Sequence, residues 1–452
     1  MRAKKPVVGC AWIDEFATRV TSLDSKEGYV KEHEKFISKR ITRLAEQPVK
    51  RKVNIALCST DADLYFEAVK QAVLEKHQQH HFEDSKTGKT ISIGVVRMAN
   101  IDPCVALTRY LLQNPHGEDT EIKAMAYHSQ QVLLMRHAQE QYLDKILKRQ
   151  KGNDHILEDT IIRDHIDQST ANHIIFALVA TPVEEVGRDH DFDWAVIEPS
   201  SYRSFIQLAG RVLRHREQEV IEPNIAIMKY NYKTLKIVKT KGEEGLKKCS
   251  VFIRPGYQKK PADLTKYNLE KLINIQELSL KLDATHRIQK TTSSELASLE
   301  HKVIHELLTD YQSIGPESMQ GWIESDWWLT GLPQQYVKFR QHNQDKTVYL
   351  TTDQTLLEKG SKGSNVDIGG DNVTWEKLDE HALSNLWIKR SYDTLLAEQA
   401  KRRNISVRET ILIFGEINLP TYGKPLTNQK FYYDGQLGLT KEAAACAAVK
   451  DK

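Results

Sequence analysis

The sequence predicts an α/β fold in which helices flank a parallel sheet, followed by a linker helix and a smaller mixed α+β domain. Between residues 91 and 240, compact apolar runs alternate with segments of helical periodicity, as in sheets built from strand–helix–strand units. After residue 313 the chain is rich in aromatic residues and mixes short apolar runs with polar loops. A chain of 452 residues is also long enough to form more than one hydrophobic core.

The first predicted strand and helix lie in ISIGVVRMANIDPCVALTRYLL, where Asp102 is placed to cap the helix and Pro103 occupies its first turn. The next strand, EIKAMAYHS, ends at Tyr127, His128 and Ser129, and VLLMRHAQEQYLDKILKR then has helical periodicity. Further strands are predicted in HIIFALVAT, DWAVIEP and PNIAIMKY. Because ligands bind at the carboxyl ends of parallel strands, we expect the polar residues that follow these strands to form a site.

An arginine-rich segment, SYRSFIQLAGRVLRHR at residues 201–216, lies between the last two predicted strands. Wound as a helix over residues 205–214, it has one apolar face and one polar face that spans roughly 100° of arc. The residues on the polar face are Gln207, Gly210, Arg211 and Arg214. Guanidinium groups bind phosphate in a bidentate manner, so the segment is either a phosphate site or a solvated basic helix face. Arg216 falls on the other side, and we expect its removal to be mild.

Composition shifts along the chain predict three domains. Residues 1–240 are assigned to the α/β domain, with residues 1–90 as a helical elaboration that contains helices at Ser25–Glu46 and around Asp61–Lys76. Residues 241–312 comprise a lysine- and glycine-rich loop and an amphipathic linker helix in SSELASLEHKVIHELL. Residues 313–452 form a C-terminal accessory domain with short strands in KTVYLTT and RETILIFGEI.

Charge and cysteine content narrow the class of protein. The formal net charge of +3 is close to neutral, so a nucleic-acid surface has to be a local patch. The cysteines, five in all, are scattered without a CxxC pair, which favours a reducing cytoplasm and argues against a disulfide framework or a zinc site. The sequence has no apolar run long enough for a membrane span, and we expect no membrane partner.

The segment ATPVEEVGRDHDFDWAVIEPSSYRSFIQLAGRVLRHR, residues 180–216, carries the most specific pattern. It combines a strand, a turn with Thr181, Gly187 and Asp189, a second strand, and QxxGRxxR. This resembles motifs V and VI of superfamily 2 helicases, and it is more similar still to the CRISPR-associated helicase–nuclease of type I-F systems. The resemblance implies that the chain is the C-terminal half of such a protein, with the second RecA-like domain, a linker helix and a C-terminal domain.

The resemblance also implies roles for individual residues. Arg211 and Arg214 reach ATP phosphates that are held by another domain and stabilise charge in the transition state, while Gln207 positions the γ-phosphate or the attacking water. The residues implied to bind ATP are Gly187, Asp189 and Gly210. The residues implied to contact single-stranded DNA are Thr181, Tyr127, His128, Ser129, Asn100 and Asp102.

By resemblance, the parent protein is an ATP-dependent single-stranded-DNA translocase that unwinds and degrades foreign DNA in type I-F CRISPR interference. Its expected cofactors are ATP and Mg²⁺, shared with a first RecA-like domain, and the divalent metals of a nuclease domain. Its expected partners are single-stranded DNA, the N-terminal half of the same enzyme, the crRNA-guided surveillance complex, the spacer-acquisition integrase and an anti-CRISPR inhibitor. The alternative is a binding module without catalysis, in which the arginine segment recognises a nucleic acid or a protein.

Two short motifs resemble parts of a P-loop and of an HD nuclease, but the residues around them do not complete either motif. SKTGKT at residues 85–90 has Glu83 where a P-loop has its first glycine, and it precedes a strand, so we expect a turn. His190–Asp191 is similar to the dyad of an HD nuclease but lacks the companion residues of a two-metal site. The aromatic residues of WIESDWWLTGLPQQYVKFRQ are expected to form a small core, or to stack on nucleic-acid bases.

Overall fold

The structure is a computed structural model that describes most of the chain. The described residues are 8–14, 17–23, 25–114, 116–150, 152–185, 187–248, 267–289, 296–298, 300–302, 345–359, 365–367, 372–420 and 425–442. They form a seven-stranded sheet, a separate two-stranded hairpin and two small sheets of four and three strands. None of the helices described is both long and apolar enough to cross a membrane.

The strands and helices are numbered along the described parts of the chain. The strands are β1 (Val8–Ile13), β2 (Thr18–Leu23), β3 (Val53–Ala56), β4 (Phe82–Glu83), β5 (Thr90–Arg97), β6 (Thr120–Tyr127), β7 (His173–Ala180), β8 (Trp194–Ile197), β9 (Ile225–Met228), β10 (Asp345–Leu350), β11 (Leu356–Lys359), β12 (Asn365–Asp367), β13 (Val373–Glu376), β14 (Glu416–Pro420), β15 (Phe431–Asp434) and β16 (Gly438–Thr440). The helices are α1 (Lys26–Glu46), α2 (Tyr65–Gln79), α3 (Ile101–Gln113), α4 (Leu133–Ile146), α5 (Asp154–Leu157), α6 (Thr160–Gln168), α7 (Tyr202–Ala209), α8 (Tyr232–Lys241), α9 (Ile275–Leu280), α10 (Thr285–Ile288), α11 (Glu380–Ser384), α12 (Tyr392–Arg403) and α13 (Val407–Phe414).

The central sheet has the order β3-β9-β8-β5-β7-β6, all parallel, and β4 pairs antiparallel with β5. Its inner strands are buried on both faces, so alternate residues enter two separate cores. One core holds residues of α4, α6 and α7, and the other holds residues of α2 and α3. Gly94 is needed in β5 because a Cβ there would lie 2.2 Å from the Trp194 ring of the neighbouring strand.

The C-terminal residues cover the β6 edge of this sheet. Ala124 donates its backbone N–H to Asn385 O at 3.0 Å and accepts from the N–H of Trp387 at 3.0 Å. Leu386 thereby pairs in parallel with Ala124 and satisfies an edge that would otherwise be open. The small sheets follow the orders β12-β11-β10-β14 and β13-β15-β16.

The α/β class predicted from the sequence is confirmed, and each strand predicted between residues 91 and 240 is present. Residues 1–90 are not only helical, because they also contain β1, β2 and an edge strand of the main sheet, β3. RETILIF is the helix α13 rather than a strand, since Ser406 and Glu409 form a capping box at its start. Asp102 does not cap α3, which begins after Asn100.

The predicted helix over residues 205–214 is too long. α7 ends at Ala209, with Gly210 as its C-cap. Beyond it, Phe192 donates its N–H to Arg211 O at 2.8 Å, and Leu213, with φ +46°, donates to Phe192 O at 3.0 Å. Pairing with a distant segment therefore replaces the last helical turn. The basic stretch after residue 248, most of the linker helix and the aromatic segment at residues 322–341 lie outside the described residues, and the domain boundaries remain predictions.

Candidate functional site

A cavity of about 780 Å³ lies where β5, β6 and β7 end. Parallel strands bring their carboxyl ends to one edge of the sheet, so the segments that follow them converge there. The cavity is lined by Ala99, Asn100, Ile101, Asp102, Tyr127, Ser129, Gln130, Arg136, Glu140, Thr181, Pro182, Val183, Arg188 and Lys441. Most of the residues expected to contact DNA, five of six, are among them.

His128 is the exception, because its ring is buried away from the cavity. Its Nε2 donates to Leu437 O at 2.7 Å, and its Nδ1 accepts from the N–H of Gln130 at 3.2 Å. Burial lowers the pKa of His128 to about 4, so the ring is neutral at pH 7. His128 thus links the end of β6 to the C-terminal segment and offers no group to a ligand in the cavity.

The cavity wall carries three cationic and two anionic side chains. The cationic residues are Arg136, Arg188 and Lys441, and the anionic residues are Asp102 and Glu140. Glu140 Oε1 accepts from Tyr127 Oη at 2.7 Å and pairs with Arg188 Nη2 at 2.5 Å. Asp102 accepts from the N–H of Lys441 at 2.9 Å, while burial raises the pKa of Asp102.

Sequence reasoning missed Arg136, Glu140 and Arg188. The i, i+4 spacing of Arg136 and Glu140 in α4 was a usable signal, because such residues lie on one helix face. The partner of Arg188 could not be found in this way, since Glu140 is 48 positions earlier in the chain.

The turn from Thr181 to Asp189 begins on the cavity wall. Thr181 donates its N–H to Tyr127 O at 3.0 Å, and a short 3₁₀ helix follows at Pro182–Glu184. Gly187 has φ +75°, which side chains with a Cβ rarely adopt, so a glycine is required there. After Gly187, Arg188 pairs with Glu140 of α4, and Asp189 pairs with Arg214.

Arg211 holds this turn from the side of α7. Its guanidinium is buried and donates to Glu185 O at 3.1 Å and to Arg188 O. Burial lowers the pKa of Arg211, although the nearby carboxylates of Glu184 and Asp189 oppose that effect. In this arrangement Arg211 positions the turn.

Arg214 is the exposed arginine of the pair. Its side chain is 40% exposed and its Nε donates to Asp189 Oδ1 at 2.6 Å. The bond to Arg214 holds the pKa of Asp189 below its usual value. Gln207 is half-buried in the last turn of α7, and Gly210 ends that helix. The structure therefore brings Asp189 to Arg214, while Arg211 bonds the backbone of the turn.

Two buried ion networks support this region and were not foreseen. Arg97 Nε pairs with Glu185 Oε1 at 2.9 Å beneath the turn. Arg216 donates from Nη2 to Asp191 Oδ1 at 2.7 Å and from Nη1 to Asp193 Oδ1 at 2.7 Å. Both carboxylate partners of Arg216 are buried, so Arg216 has a structural role that helix geometry alone did not indicate, and the expectation that its removal is mild stays untested.

The P-loop-like segment at residues 85–90 and the dyad His190–Asp191 both make contacts that stabilise the fold. Residues 85–87 form a turn between β4 and β5, as predicted, with Thr87 Oγ1 donating to Asp84 Oδ2 at 2.6 Å. His190 bridges Glu184 Oε1 at 2.7 Å and Asp144 Oδ1 at 3.0 Å. Within the ranges that the structure describes, no group of three or more His, Cys, Asp or Glu side chains could hold a metal ion.

The described residues include groups of the chemistry that binds phosphate. The guanidinium of Arg214 is partly exposed and the amide of Gln207 is half-buried, and both groups can donate to phosphate oxygens. Residues 85–90 do not provide the loop that cradles phosphates, because they lead into a strand rather than a helix.

A parallel sheet flanked by helices, with QxxGRxxR after one of its strands, is the α/β fold expected of a helicase-type protein. The family model described as CRISPR-associated nuclease/helicase Cas3, C-terminal, matches residues 90–217. The chain belongs to the Cas3 family and corresponds to the C-terminal part of its subtype I-F members.

Curated relatives support this assignment. The chain is 34% identical over 363 residues to the subtype I-F/YPEST nuclease/helicase Cas3 of Pectobacterium atrosepticum, which covers 76% of this chain and 32% of the relative. It is 30% identical over 439 residues to that of Pseudomonas aeruginosa, with coverages of 91% and 39%. The chain thus spans well under half of the length of these relatives. Among solved structures, T. fusca Cas3–AMPPNP aligns with a TM-score of 0.37 and 9% identity, over 88% of this chain and 41% of that chain.

Proposed function

We propose that this chain completes the ATP cleft and forms part of the DNA channel of an ATP-dependent single-stranded-DNA translocase. The parent enzyme unwinds and degrades foreign DNA in type I-F CRISPR interference. The observation that carries the proposal is the position of one turn, Thr181–Asp189, between two groups of residues. Thr181 and Arg188 lie on the cavity wall, whereas Asp189 is bonded to Arg214.

On the nucleotide side, Arg214 provides a guanidinium for the γ-phosphate, and Gln207 positions the phosphate or the attacking water. Bound ATP with Mg²⁺ supplies the phosphoryl transfer that drives movement along DNA. The loop that cradles the phosphates belongs to a first RecA-like domain, and the nuclease metals belong to a separate domain. Arg211 keeps the backbone of Glu185 and Arg188 in place, so Gly187 and Asp189 are presented to the nucleotide. Gly210 ends α7 and allows the chain to turn toward Arg214.

On the DNA side, the cavity binds the phosphate backbone of a single strand. The proposed contacts are Asn100, Asp102, Tyr127, Ser129 and Thr181, with Arg136, Arg188 and Lys441 as cations. The wall has a net charge of +1 from its three cationic and two anionic residues, which favours a polyanion without requiring a basic protein overall.

The relatives' names contain the words CRISPR-associated nuclease/helicase, and this supports a role with the crRNA-guided surveillance complex. Contacts with the spacer-acquisition integrase and with an anti-CRISPR inhibitor stay predictions from the resemblance alone. The isolated chain is expected to hydrolyse no ATP, because its described residues supply only the arginine side of the cleft.

The test uses the enzyme that contains this chain and measures ATP hydrolysis against single-stranded-DNA concentration. Thr181→Ala should raise the DNA concentration needed for half-maximal stimulation, whereas Arg214→Ala should lower the maximal rate. Arg402→Ala, at an exposed position in the last turn of α12, is the matched control. Equal effects of all three substitutions would favour the binding module without catalysis.

A further inference from the structure

The turn is attached to α4 by two side-chain bridges. Arg188 Nη2 lies 2.5 Å from Glu140 Oε1, and His190 Nε2 lies 3.0 Å from Asp144 Oδ1. Glu140 and Asp144 are four residues apart on one helix face, which is about 6 Å along the axis. Arg188 and His190 are two residues apart in the segment that follows Gly187, so both bridges join the same two segments. The segment after Gly187 is therefore fixed to α4 at two points, Glu140 and Asp144.

The two bridges differ in access to the cavity. The His190 ring is buried and also bonds the buried carboxylate of Glu184 at 2.7 Å, so that bridge is anchored in the protein. Arg188 and Glu140 both line the cavity, and their side chains are 21% and 20% exposed. A ligand in the cavity can reach the Arg188–Glu140 bridge directly.

The Glu140 carboxylate interacts with more than one hydrogen-bond donor. Its Oε1 pairs with Arg188, accepts from Tyr127 Oη at 2.7 Å and lies 3.6 Å from Arg136 Nε. One carboxylate thus faces two of the three cationic side chains on the wall. Carboxylate and phosphate oxygens accept from guanidinium in the same geometry, so Glu140 occupies a position that suits a phosphate.

We propose that Glu140 is a resident competitor for the DNA backbone. A phosphate that enters the cavity takes Arg188 from Glu140, while His190 keeps the turn attached to Asp144. A partly exposed ion pair contributes little to stability, so this exchange is accessible. Asp189 lies between Arg188 and His190 and is bonded to Arg214. When Arg188 leaves Glu140, Asp189 is therefore held to α4 on the His190 side only. This inference rests on the proposed function and identifies the contact through which that function senses the strand.

The experiment measures binding of a fluorescent oligo(dT) to the 452-residue chain at several salt concentrations by anisotropy. For a single strand, each neutralised phosphate changes the slope of log K against log salt by about −0.7. Glu140→Gln removes the carboxylate partner of Arg188 and leaves its bond to Tyr127 Oη, so the slope should steepen by up to about 0.7 and binding should tighten by up to roughly fivefold near 0.1 M salt. Arg188→Gln removes the contact itself, so its binding should be weaker than that of Glu140→Gln and its slope flatter than that of Glu140→Gln by about 0.7. The double variant should match Arg188→Gln.

Asp164→Asn, at an exposed position of α6 outside the cavity lining, is the matched control, because it removes one carboxylate charge and leaves both bridges intact. Wild-type affinity is expected for it. Glu140→Asp retains the charge but withdraws the carboxylate from Arg188, and it should give a smaller gain than Glu140→Gln. Thermal melts of each variant check that the fold is retained.

Three results would overturn the inference. Unchanged or weaker binding by a folded Glu140→Gln variant would show that Glu140 only positions Arg188. An equal gain in Asp164→Asn would show a general charge effect. Failure of the wild-type chain to bind oligo(dT) would contradict the proposed DNA site as well, whereas the first two results leave that site standing.

Discussion

The guanidinium of Arg211 donates to the backbone carbonyl of Arg188, whose own side chain lies on the wall of the strand-end cavity. The segment expected to contact ATP is thus joined by a direct hydrogen bond to the residue best placed to contact DNA. Arg211 makes a second bond to Glu185 O at 3.1 Å, so it holds the turn at two carbonyls. These bonds link the two proposed sites directly.

Arg211→Lys should therefore weaken DNA binding although Arg211 does not line the cavity. A lysine retains the charge but cannot hold two carbonyls with a planar fork, so Arg188 loses its fixed position. We expect roughly tenfold weaker oligo(dT) binding, equivalent to about 1.4 kcal/mol. Anisotropy with the chain measures this, and Arg402→Lys serves as the exposed control. Wild-type affinity in Arg211→Lys would show that the turn keeps its shape without the second bond.

Arg216→Ala should destabilise the chain rather than act as a neutral change. The substitution removes the arginine partner of the buried Asp191 carboxylate, whereas Asp193 keeps its ion pair with Arg149 Nη1 at 2.8 Å. Removal of one member of a buried ion pair costs about 3–5 kcal/mol. Urea unfolding at pH 7 measures the loss, with Arg214→Ala as the comparison, because its pair with Asp189 is exposed and contributes under about 1 kcal/mol. Similar unfolding free energies for the two variants would contradict the assignment.

His128 should make the chain less stable in acid. Its pKa is lowered from 6.5 to about 4 by burial, so the unfolded chain binds the proton first as the pH falls. Stability from this group is full above about pH 6.5 and is lost toward pH 4, with a loss of roughly 2 kcal/mol at pH 5. Protonation also removes the Nδ1 acceptor for Gln130.

His128→Asn cannot be protonated in this range, so its unfolding free energy should fall less between pH 7.5 and pH 5 than that of the wild type. His77 and His116, whose pKa values burial lowers to about 3 and about 4, are retained in both proteins. Urea titrations at the two pH values provide the comparison. Parallel losses in both proteins would assign the acid sensitivity to the other histidines.

The sequence was sufficient to predict the features that depend on short-range patterns. Alternation of apolar runs and helical segments predicted β5 to β9, and polar residues after these strands predicted the cavity wall. The missed features depend on pairs far apart in the chain. Val53 of β3 pairs with Ile225 of β9, and Arg97 pairs with Glu185. Periodicity carries no information about such partners.

The end of α7 illustrates the same limit. Leu208, Ala209 and Val212 continue the apolar spacing of a helix, so the pattern predicts helix beyond Gly210. In the structure, Val212 pairs with Phe192 in a parallel bridge, and this long-range contact overrides the local preference. As a consequence, Arg211 and Arg214 do not share one helix face. Their different environments, buried and exposed, lead to different predictions for the two residues.

Asp189→Ala, in the enzyme that contains this chain, should uncouple ATP hydrolysis from DNA more than it weakens nucleotide binding. Asp189 lies between the two α4 bridges and is bonded to Arg214, so its loss separates the turn from the nucleotide side. The ratio of ATP turnover with and without single-stranded DNA should fall, while the Kd for a fluorescent ATP analogue changes little. Full retention of DNA stimulation would show that the turn has only a structural role.

Arg214→Ala is expected to have the largest effect on catalysis. An arginine that reaches a γ-phosphate from across a cleft stabilises charge in the transition state, and its loss lowers the rate by ~10³-fold or more. Nucleotide binding and folding should change little, because the interaction strengthens mainly as charge develops and the side chain is 40% exposed. Lysine should restore little of the rate, since it lacks the planar fork. Single-stranded-DNA-stimulated ATPase, with thermal melts, distinguishes this role from a solvated basic surface, with Arg402→Ala as the control in place of Arg216. A mild loss in Arg214→Ala, comparable to that of the Arg402 variant, would assign the catalytic guanidinium to another residue.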